Sequence, residues 1–297
     1  GTSSLRRLTR SQFKQSIRSL LGDEVVIPKL SEPDASVSGL LSIGATTTTF
    51  SPRGVENLEL AAYSIAEQAI ETERFQALMT CTPSGVVDAD CTRKVVETFG
   101  RLAWRRGLNA AELEELTQVA TMAAQALGDF NSGLEFAVAA IIQSPYFLFR
   151  VELAAEAAEE SKGKFGAYEL ASRLSYFIWN TTPDEALMAA AERGELSTRE
   201  GLFNQASRLI EHPNARLGMK NFFTEQLLLY ELDHFTKDPK VFEHFHSDLG
   251  ANAREETLRF LEYVVFDGNE DFRDVMTADY SFVNSRLAAL YGMPSPV

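Results

Sequence analysis

The pattern of apolar and polar residues along the chain is that of successive helices. Apolar residues recur every three to four positions, and residues that begin or end helices separate the periodic segments. Thr9-x-x-Gln12 resembles a capping box, and Gly22 ends the first segment. The second segment is a long amphipathic helix, whose apolar face consists of Val55, Leu58, Ala62, Ile65 and Ala69. Patterns typical of strands are nearly absent, so the sequence predicts an all-α fold.

We expect about a dozen helices in a multi-helix orthogonal bundle. No internal repeat with a fixed period is visible in the sequence. Residues 134–142 are apolar on nearly every side and are predicted to form the central helix of the first half. Further helix starts are predicted at Asn109-x-x-Glu112, at Ser197-x-x-Glu200 and at Thr182-Pro183, with Thr182 as the N-cap and Pro183 as the first helical residue. A helix is also expected from Arg254 to Phe266.

Two segments interrupt this helical pattern. Residues 23–52 are rich in Ser, Thr, Gly and Pro and are too long for a simple connection, so we interpret them as one long loop that is functional or poorly ordered. Residues 154–166 combine alanine, acidic residues and Ser-Lys-Gly-Lys, which is typical of an interdomain connection. The predicted domains are therefore residues 1–153 and residues 167–297.

Charge and hydropathy exclude several classes of partner. The 297 residues contain 28 Lys and Arg against 42 Asp and Glu, which gives a net charge of -14. Such a surface repels phosphate backbones and anionic membranes at long range, so nucleic acid is not an expected partner. The longest uninterrupted apolar run, residues 136–142, is far shorter than the roughly 20 residues of a membrane-spanning helix.

The two cysteines bear on the cellular compartment. The sequence begins Gly1-Thr2-Ser3-Ser4 and continues directly into Leu5-Arg6-Arg7-Leu8, which is not the pattern of a signal peptide. The chain is therefore expected to be either cytosolic or already processed. Cys81 and Cys91 lie in a Thr/Pro/Ser/Gly/Asp segment between two helical patterns, close enough to close a small ring. We predict a disulfide between them. Two free thiols in a cytosolic protein are the alternative.

One local cluster has the composition of a metal site. His244 and His246 lie near His234, Glu243 and Asp248, and imidazoles with carboxylates are ligands of Zn²⁺, Cu²⁺ or haem iron. The two histidines of an H-x-H motif approach one metal when the backbone is extended, whereas on a helix their side chains point apart. Solvated histidines on an acidic loop are the alternative to this metal-site hypothesis.

Other polar residues have simpler structural interpretations. Glu255 and Glu256 are adjacent on one helix and do not face each other as an acid and base pair would; Glu255 is instead expected to pair with Arg259. Tyr280 and Asn284 are interpreted as a hydrogen-bonding pair of the last helices. The sequence contains no G-x-S-x-G, H-E-x-x-H, phosphate-binding glycine loop or C-x-x-C-H motif, so it predicts no reaction by itself.

The order of motifs in the C-terminal half carries a family resemblance. The motifs are the run Y-E-L-A-S-R-L-S-Y-F-I-W at residues 168–179, T-P-D-E at 182–185, D-Y-S-F-V-N-S-R-L at 279–287, and Tyr291-Gly292. With these motifs the chain resembles the uncharacterised helical modules that planctomycetes and myxobacteria export, often in one polypeptide with c-type cytochrome domains. The resemblance covers residues 5–70, 91–150 and 165–292. At Trp104-Arg105-Arg106 it matches a family position where arginines precede proline, for which this chain has Gly107.

The resemblance implies a function that these residues alone do not. Related chains usually continue into a module with a C-x-x-C-H motif, so a c-type haem is expected on a downstream segment or chain, which is then the principal partner. Met293 or a histidine is expected to approach that haem, and the location implied is periplasmic or extracellular. The chain itself is then the haem-free scaffold or substrate-binding part of a redox protein.

Two alternatives of other classes stay open. One is a non-redox extracellular interaction module that binds a partner or polymer through the Ser/Thr-rich loop at residues 31–52 and the acidic surface. The other is a metal-dependent hydrolase centred on His244 and His246.

Overall fold

A computed structural model describes residues 4–30, 32–152, 165–238, 240–268 and 271–295. Within these ranges the chain is a multi-helix protein with one two-stranded sheet, which confirms the predicted all-α class. The α-helices are α1 (Arg10–Leu21), α2 (Leu41–Gly44), α3 (Pro52–Ala69), α4 (Glu73–Leu78), α5 (Ala89–Trp104), α6 (Ala110–Leu127), α7 (Phe130–Gln143), α8 (Pro145–Leu148), α9 (Ala167–Ile178), α10 (Glu185–Glu192), α11 (Arg199–Glu211), α12 (Ala215–Gln226), α13 (Leu249–Glu262) and α14 (Ser285–Leu290). Short 3₁₀ segments are Glu195–Ser197, Leu229–His234 and Phe272–Met276, and Tyr263–Asp267 is π-helical.

The sheet pairs two strands that the sequence pattern does not reveal. Strand β1 (Ser4–Arg7) lies antiparallel to β2 (Phe149–Glu152), with Leu5 opposite Val151 and Arg7 opposite Phe149. Each strand has only four residues. Four residues are too few to establish a period of two against a helical background, so the pairing depends on tertiary contacts.

Side-chain caps explain where several helices begin. Thr9 and Gln12 form the predicted capping box of α1, and Asn109 and Glu112 form that of α6. The predicted cap at Thr182 is wrong. Asp184 caps α10 by accepting a hydrogen bond from the Leu187 N–H, while the buried Thr182 hydroxyl donates to the Leu102 carbonyl. A carboxylate two residues further on thus replaces the threonine as the cap.

Two other predicted helix starts are displaced. Helix α11 begins after Thr198, not Ser197, because the Thr198 hydroxyl accepts from the Gly201 N–H and Ser197 ends the preceding 3₁₀ turn. The last long helix, α13, begins at Leu249, before the predicted Arg254, and becomes π-helical at Tyr263. At α11 the Thr198 cap therefore sets the boundary more finely than the apolar period does.

The chain divides into two compact units. The first consists of Gly1–Val37 and Leu41–His212, and the second of Ser38–Leu40 and Pro213–Val297. Residues 167–212 are thus grouped with the N-terminal half in the first unit. The hydrogen bond between Tyr176 and Ser16 is one link that joins them. Residues 153–164 of the predicted connection lie outside the described residues, and a domain boundary there stays a prediction.

The core of the first unit forms around α7, as predicted for residues 134–142. Helix α7 packs against α3, α5, α6 and α8. Its buried apolar residues are Phe130, Leu134, Ala137, Val138, Ala139, Ile141 and Ile142. Because α7 contributes apolar residues on several faces, it can pack against helices on more than one side.

The second unit has a smaller core. Helix α13 packs against α12, α14 and the 3₁₀ segment at Leu229–His234. The buried apolar residues of the second unit include Leu249, Leu258, Leu261, Val264 and Leu287. The bidentate ion pair between Arg216 and Asp267 adds a polar link from α12 to the π-helical segment.

Two arginines of the first unit anchor the Ser/Thr-rich loop at residues 23–52. The buried guanidinium of Arg7 donates to Asp34 at 3.0 Å and to the Pro33 carbonyl at 2.8 Å. The Arg10 side chain donates to the Glu32 carbonyl at 2.7 Å. The described part of this predicted loop therefore has specific anchors, and it also contains the short helix α2.

Candidate functional site

A cleft in the first unit combines arginine and aromatic side chains. It lies where the C-terminal end of α5 meets α8, β2 and the first turns of α9. Its cavity volume is about 50 Å³, and the cleft is partly open to solvent. The lining residues are Trp104, Arg105, Arg106, Tyr146, Phe149, Arg150, Tyr168, Glu169 and Ser172.

Arg105 forms the base of this cleft and ends helix α5. Its backbone has a left-handed conformation, with φ of 60°, and its side chain is buried at 3% exposure. One guanidinium nitrogen donates to the Tyr146, Phe147 and Phe149 carbonyls at 2.7, 3.1 and 3.0 Å. The other donates to the Ala103 carbonyl at 3.0 Å and lies 3.5 Å from the Tyr176 hydroxyl. Arg105 thereby holds the backbone of α8 and β2 in place.

The charge of Arg105 is not neutralised by a carboxylate within the described ranges. Its hydrogen bonds go to carbonyls and to one phenol, and its guanidinium carbon lies 5.7 Å from the centre of the Tyr176 ring and 6.0 Å from that of Phe147. Carbonyl dipoles and aromatic faces stabilise a buried cation without cancelling its net charge.

Arg106 forms one side of the cleft. Its guanidinium carbon lies 4.2 Å from the Tyr146 ring centre and 5.4 Å from the Trp104 ring centre. Glu112 fixes it through two hydrogen bonds, at 2.7 and 2.9 Å. The Arg106 guanidinium lowers the pKa of Glu112, and the Glu112 carboxylate raises the pKa of Arg106. Both groups stay charged at neutral pH, so this side of the cleft is a rigid stack of guanidinium and aromatic rings.

Two elements complete the cleft. Arg150, from β2, lies with its guanidinium carbon 5.0 Å from the Tyr176 ring centre. From α9, the Tyr168 hydroxyl donates to Glu192 at 3.4 Å, and burial together with the Glu192 charge raises the pKa of Tyr168. The phenol therefore stays protonated at neutral pH, and its single proton is donated to Glu192. Glu169 adds one carboxylate to the lining.

The lining combines groups that are suited to binding a ligand. Arginine side chains recognise anionic groups, and aromatic faces bind flat apolar ones. The described lining includes neither histidine nor cysteine, and so lacks the usual pairing of a nucleophile with an imidazole base. The geometry supports recognition of a small molecule.

The histidines of the predicted metal site lie elsewhere. His244 and His246 are exposed in the irregular segment before α13, which is the loop position that the sequence predicts. No group of three or more His, Cys, Asp or Glu side chains suitable for a metal occurs in the parts of the chain that the structure describes. The role of His244 and His246 in metal binding, and in the hydrolase alternative, stays a prediction. Replacing both histidines without loss of bound metal would refute it.

The two cysteines form the predicted disulfide. Cys81 and Cys91 are bonded, with their Cα atoms 5.7 Å apart. The bond joins the segment after α4 to the first turn of α5, where Asp88 caps the helix. The prediction of a disulfide is confirmed, and this bond restrains the start of the helix whose other end carries Arg105 and Arg106.

Met293 follows α14 in the second unit. Its side chain is 52% exposed, and its N–H donates to the Ala288 carbonyl at 2.8 Å. Its thioether is thus accessible to another molecule, and its predicted approach to a haem stays a prediction. Nearby, Asn284 caps α14 by accepting from the N–H groups of Arg286 and Leu287, and its predicted pairing with Tyr280 stays a prediction.

Sequence reasoning identified only part of the arginine-aromatic cleft. It singled out Trp104, Arg105 and Arg106 through the resemblance, and Tyr168 and Glu169 belong to the run at residues 168–179. It missed Tyr146 and Arg150. Their signal is Ser144-Pro145, which marks the end of α7 and therefore a turn where exposed side chains gather.

Comparison with protein families accounts for most of the sequence. Residues 165–293 match the model PSD4, described as a protein of unknown function (DUF1592). Residues 91–152 match PSD5, a protein of unknown function (DUF1595), and residues 6–71 match PSD3, a protein of unknown function (DUF1587). Three family domains are present. No curated protein and no solved structure matched the chain in these comparisons.

Two of the family domains meet at the cleft. The PSD5 domain contributes the residues from α5, α8 and β2, and the PSD4 domain contributes those from α9.

In the described parts of the chain, none of the helices combines the length and apolar character needed to cross a bilayer.

Proposed function

We propose that this chain is the haem-free helical portion of an exported, cytochrome-associated redox protein, and that it serves as the scaffold or substrate-binding part. The observation that carries the proposal is the order of the three family domains. Their ranges, 6–71, 91–152 and 165–293, follow the three blocks of the predicted resemblance, 5–70, 91–150 and 165–292. That agreement supports the resemblance from which the association with cytochromes is taken.

Export is supported by the disulfide. Disulfides persist in the periplasm and outside the cell and are rare in the reducing cytosol. The bond between Cys81 and Cys91 is therefore compatible with the proposed periplasmic or extracellular location. The acidic surface, with a net charge of -14, gives no attraction to nucleic acid.

This chain and a haem-bearing segment or chain have different roles in the proposed protein. These 297 residues contain no C-x-x-C-H motif, so a covalent c-type haem would be attached elsewhere and would supply one-electron transfer. The arginine-aromatic cleft is the place where this chain would bind and orient a substrate. Met293 is the exposed thioether that would approach the haem.

The experiment is an intact-mass measurement and a visible absorption spectrum on the full-length gene product purified from its native source. We expect a Soret band and a mass increase equal to covalent haem, on the same polypeptide or on a chain that co-purifies with it. A colourless full-length protein with no haem-bearing partner would overturn the proposal.

A non-redox extracellular interaction module is the second candidate. It is favoured by the exposed apolar side chains of the second unit, among them Met276 at 85%, Phe272 at 54% and Phe222 at 54%. The described part of the Ser/Thr-rich loop gives it less support, because Thr46, Thr47 and Thr48 donate to nearby carbonyls. The colourless outcome of the same experiment would favour this candidate.

A further inference from the structure

We propose that a cavity within the second unit binds the ring of a neutral sugar. The cavity lies where α12, the second half of α13 and the π-helical segment Tyr263–Asp267 meet the irregular segment before α14. Its lining residues are Lys220, Glu255, Arg259, Glu262, Tyr263, Asp267 and Phe282. This sugar site is separate from the arginine-aromatic cleft, and it goes beyond the proposed function, which does not depend on it.

The size of the cavity suits a single ring. Its volume is about 250 Å³, whereas that of the arginine-aromatic cleft is about 50 Å³. Pockets that hold drug-sized ligands measure roughly 300–1,000 Å³, so this cavity lies just below that range. It is also partly open to solvent. One substituted ring therefore fits, and the open side leaves room for a second sugar unit outside the cavity.

Two aromatic rings provide an apolar wall. The ring centres of Tyr263 and Phe282 are 5.5 Å apart, and their planes are inclined at 53°. Tyr280 contacts both rings edge-on, at 5.9 and 6.4 Å between ring centres, and so restrains them. Phe282 is 37% exposed, which leaves ring surface for a ligand. The C–H face of a sugar ring is apolar and can pack on such an aromatic face.

The backbone at Tyr263 has an unusual conformation. The Gly268 N–H donates to the Tyr263 carbonyl at 2.7 Å, a spacing of five residues that is typical of a π-helix. Single π-helical turns are rare and occur frequently at functional sites. This turn contributes both Tyr263 and Asp267 to the lining of the cavity. The backbone is thus a second observation that favours a binding site here.

The charges around the cavity are balanced. Each of the three carboxylates in the lining has a cationic partner: Glu255 pairs with Arg259 at 2.9 Å, Glu262 with Lys220 at 2.8 Å, and Asp267 with Arg216 at 2.9 Å. A charged ligand would therefore find no unpaired opposite charge among the described lining residues. The balance of charge favours a neutral ligand over an anion or a cation.

Hydrogen-bonding groups of both kinds remain available in the lining. Arg259 donates to Glu255 through Nε alone, so its two terminal nitrogens have no partner among the described residues. Within the same ranges the Tyr263 hydroxyl makes no hydrogen bond. A carboxylate has about four acceptor sites, of which Glu255 uses one for Arg259. Since every sugar hydroxyl both donates and accepts, a sugar can use these groups together with the aromatic wall.

The test is saturation-transfer NMR on the 297-residue chain, titrated separately with glucose, mannose, galactose and xylose. We expect saturable binding of at least one of these sugars, with saturation greatest at the C–H protons of one ring face. Glucuronate and protonated glucosamine, as charged analogues, are expected to bind no more tightly than the neutral sugar. Benzyl alcohol, which offers a ring but only one hydroxyl, is expected to bind more weakly.

Three outcomes of this titration would overturn the proposal. The first is that none of the four sugars binds. The second is that a charged analogue binds more tightly than every neutral sugar, which would mean that the cavity selects charge. The third is that benzyl alcohol binds as tightly as the best sugar, which would mean that the aromatic wall acts without the polar groups.

Variants locate the binding in this cavity. Arg259→Met keeps the aliphatic stem and removes the terminal donors, so we expect about tenfold weaker sugar binding, the loss typical of a hydrogen bond to a charged group. The matched control is Arg254→Met, because Arg254 lies on the same helix and pairs with Asp233 outside the lining; it should leave binding unchanged. Phe282→Leu removes part of the aromatic wall and should also weaken binding.

Equal effects of Arg259→Met and Arg254→Met would overturn the placement of the sugar in this cavity. Circular dichroism establishes first that each variant is folded. If Arg259→Met does not fold, Phe282→Leu takes its place in the comparison with the control, and the comparison of ligands in the unaltered protein is unaffected.

Discussion

The Tyr176 hydroxyl lies 2.8 Å from the Ser16 hydroxyl, and this hydrogen bond joins α9 to α1 across 160 positions of the sequence. Both side chains are buried, and a guanidinium N–H of Arg105 points to the same phenol at 3.5 Å. One phenol thus links the N-terminal helix, the end of α5 and the first helix after residue 165. This link explains why α9 belongs to the first compact unit.

Removing that phenol is expected to destabilise the protein. Tyr176→Phe keeps the ring but leaves the buried Ser16 hydroxyl without its partner, so we expect the free energy of unfolding to fall by about 1–3 kcal/mol. Urea denaturation measures this change. Ser16→Ala and the double variant complete a mutant cycle, in which the two losses are expected not to add. Full additivity would show that the two hydroxyls are not coupled.

The disulfide is expected to contribute measurably to stability. The two cysteines are ten positions apart, and opening a loop of that size costs about 2–3 kcal/mol in the chain-entropy account. Replacing Cys81 and Cys91 together by alanine should lower the free energy of unfolding by about that amount. Thermal denaturation with and without reductant provides the control, because reductant should destabilise the unaltered protein and leave the double variant unchanged. Insensitivity of the unaltered protein to reductant would contradict the expectation.

The free energy of unfolding is expected to depend on pH through the Asp88 carboxylate. Hydrogen bonds from the Cys91 N–H, the Ser84 N–H and the Ser84 hydroxyl lower the pKa of Asp88 to about 2. The pKa of Asp88 in the folded protein is below its value of about 3.9 in the unfolded chain. The ionised carboxylate therefore stabilises the folded protein above about pH 4, and this stabilisation is lost as the pH falls towards about 2. Urea denaturation between pH 7 and pH 2 should show a smaller fall in stability for Asp88→Asn. An identical pH dependence in the two proteins would refute this role.

Asp184 combines a helix cap with an ion pair, and two variants separate the two contributions. Its carboxylate accepts from the Leu187 N–H at 2.9 Å and from the Arg208 guanidinium at 2.7 and 3.0 Å. Asp184→Asn keeps a capping oxygen and loses a half-exposed ion pair, so it should cost less than about 1 kcal/mol. Asp184→Ala loses both and should cost about 1–2 kcal/mol. Arg208→Gln should match the asparagine variant in chemical denaturation; a cost equal to that of Asp184→Ala would contradict the assignment.

Tyr291 is expected to lose its proton at a higher pH than an ordinary tyrosine does. Burial and then its hydrogen bond to Glu256 at 2.7 Å raise the pKa of Tyr291 to about 12. A folded pKa above the unfolded value of about 10 means that the contribution to stability is present below pH 10 and is lost as the pH rises towards 12. Ultraviolet titration, with Tyr291→Phe as the reference, should locate this transition. Glu256→Gln should lower the pKa, and an unchanged pKa would show that the carboxylate has no influence.

How much of the protein the sequence predicts depends on the range of the interactions involved. The capping boxes at Thr9 and Asn109 and the apolar period of α7 are local, and each agrees with the structure. The predicted apolar face of α3 is buried from Leu58 to Ala69, whereas Val55 at its start is 53% exposed. The helix starts predicted at Thr182 and Ser197 are displaced by one or two residues, because a neighbouring Asp184 or Thr198 forms the actual cap. Local patterns therefore determine the kind of element more securely than its end.

By itself, the sequence determined the all-α class and the central position of α7, and it favoured the disulfide over two free thiols. Only the tertiary structure decided which distant segments meet. It paired β1 with β2, brought Tyr176 to Ser16, and assembled the cleft from the end of α5, the β2 segment and the start of α9. Helix caps and periodicity depend on residues a few positions apart, whereas these long-range pairings depend on how complete helices pack, and no local pattern specifies that packing.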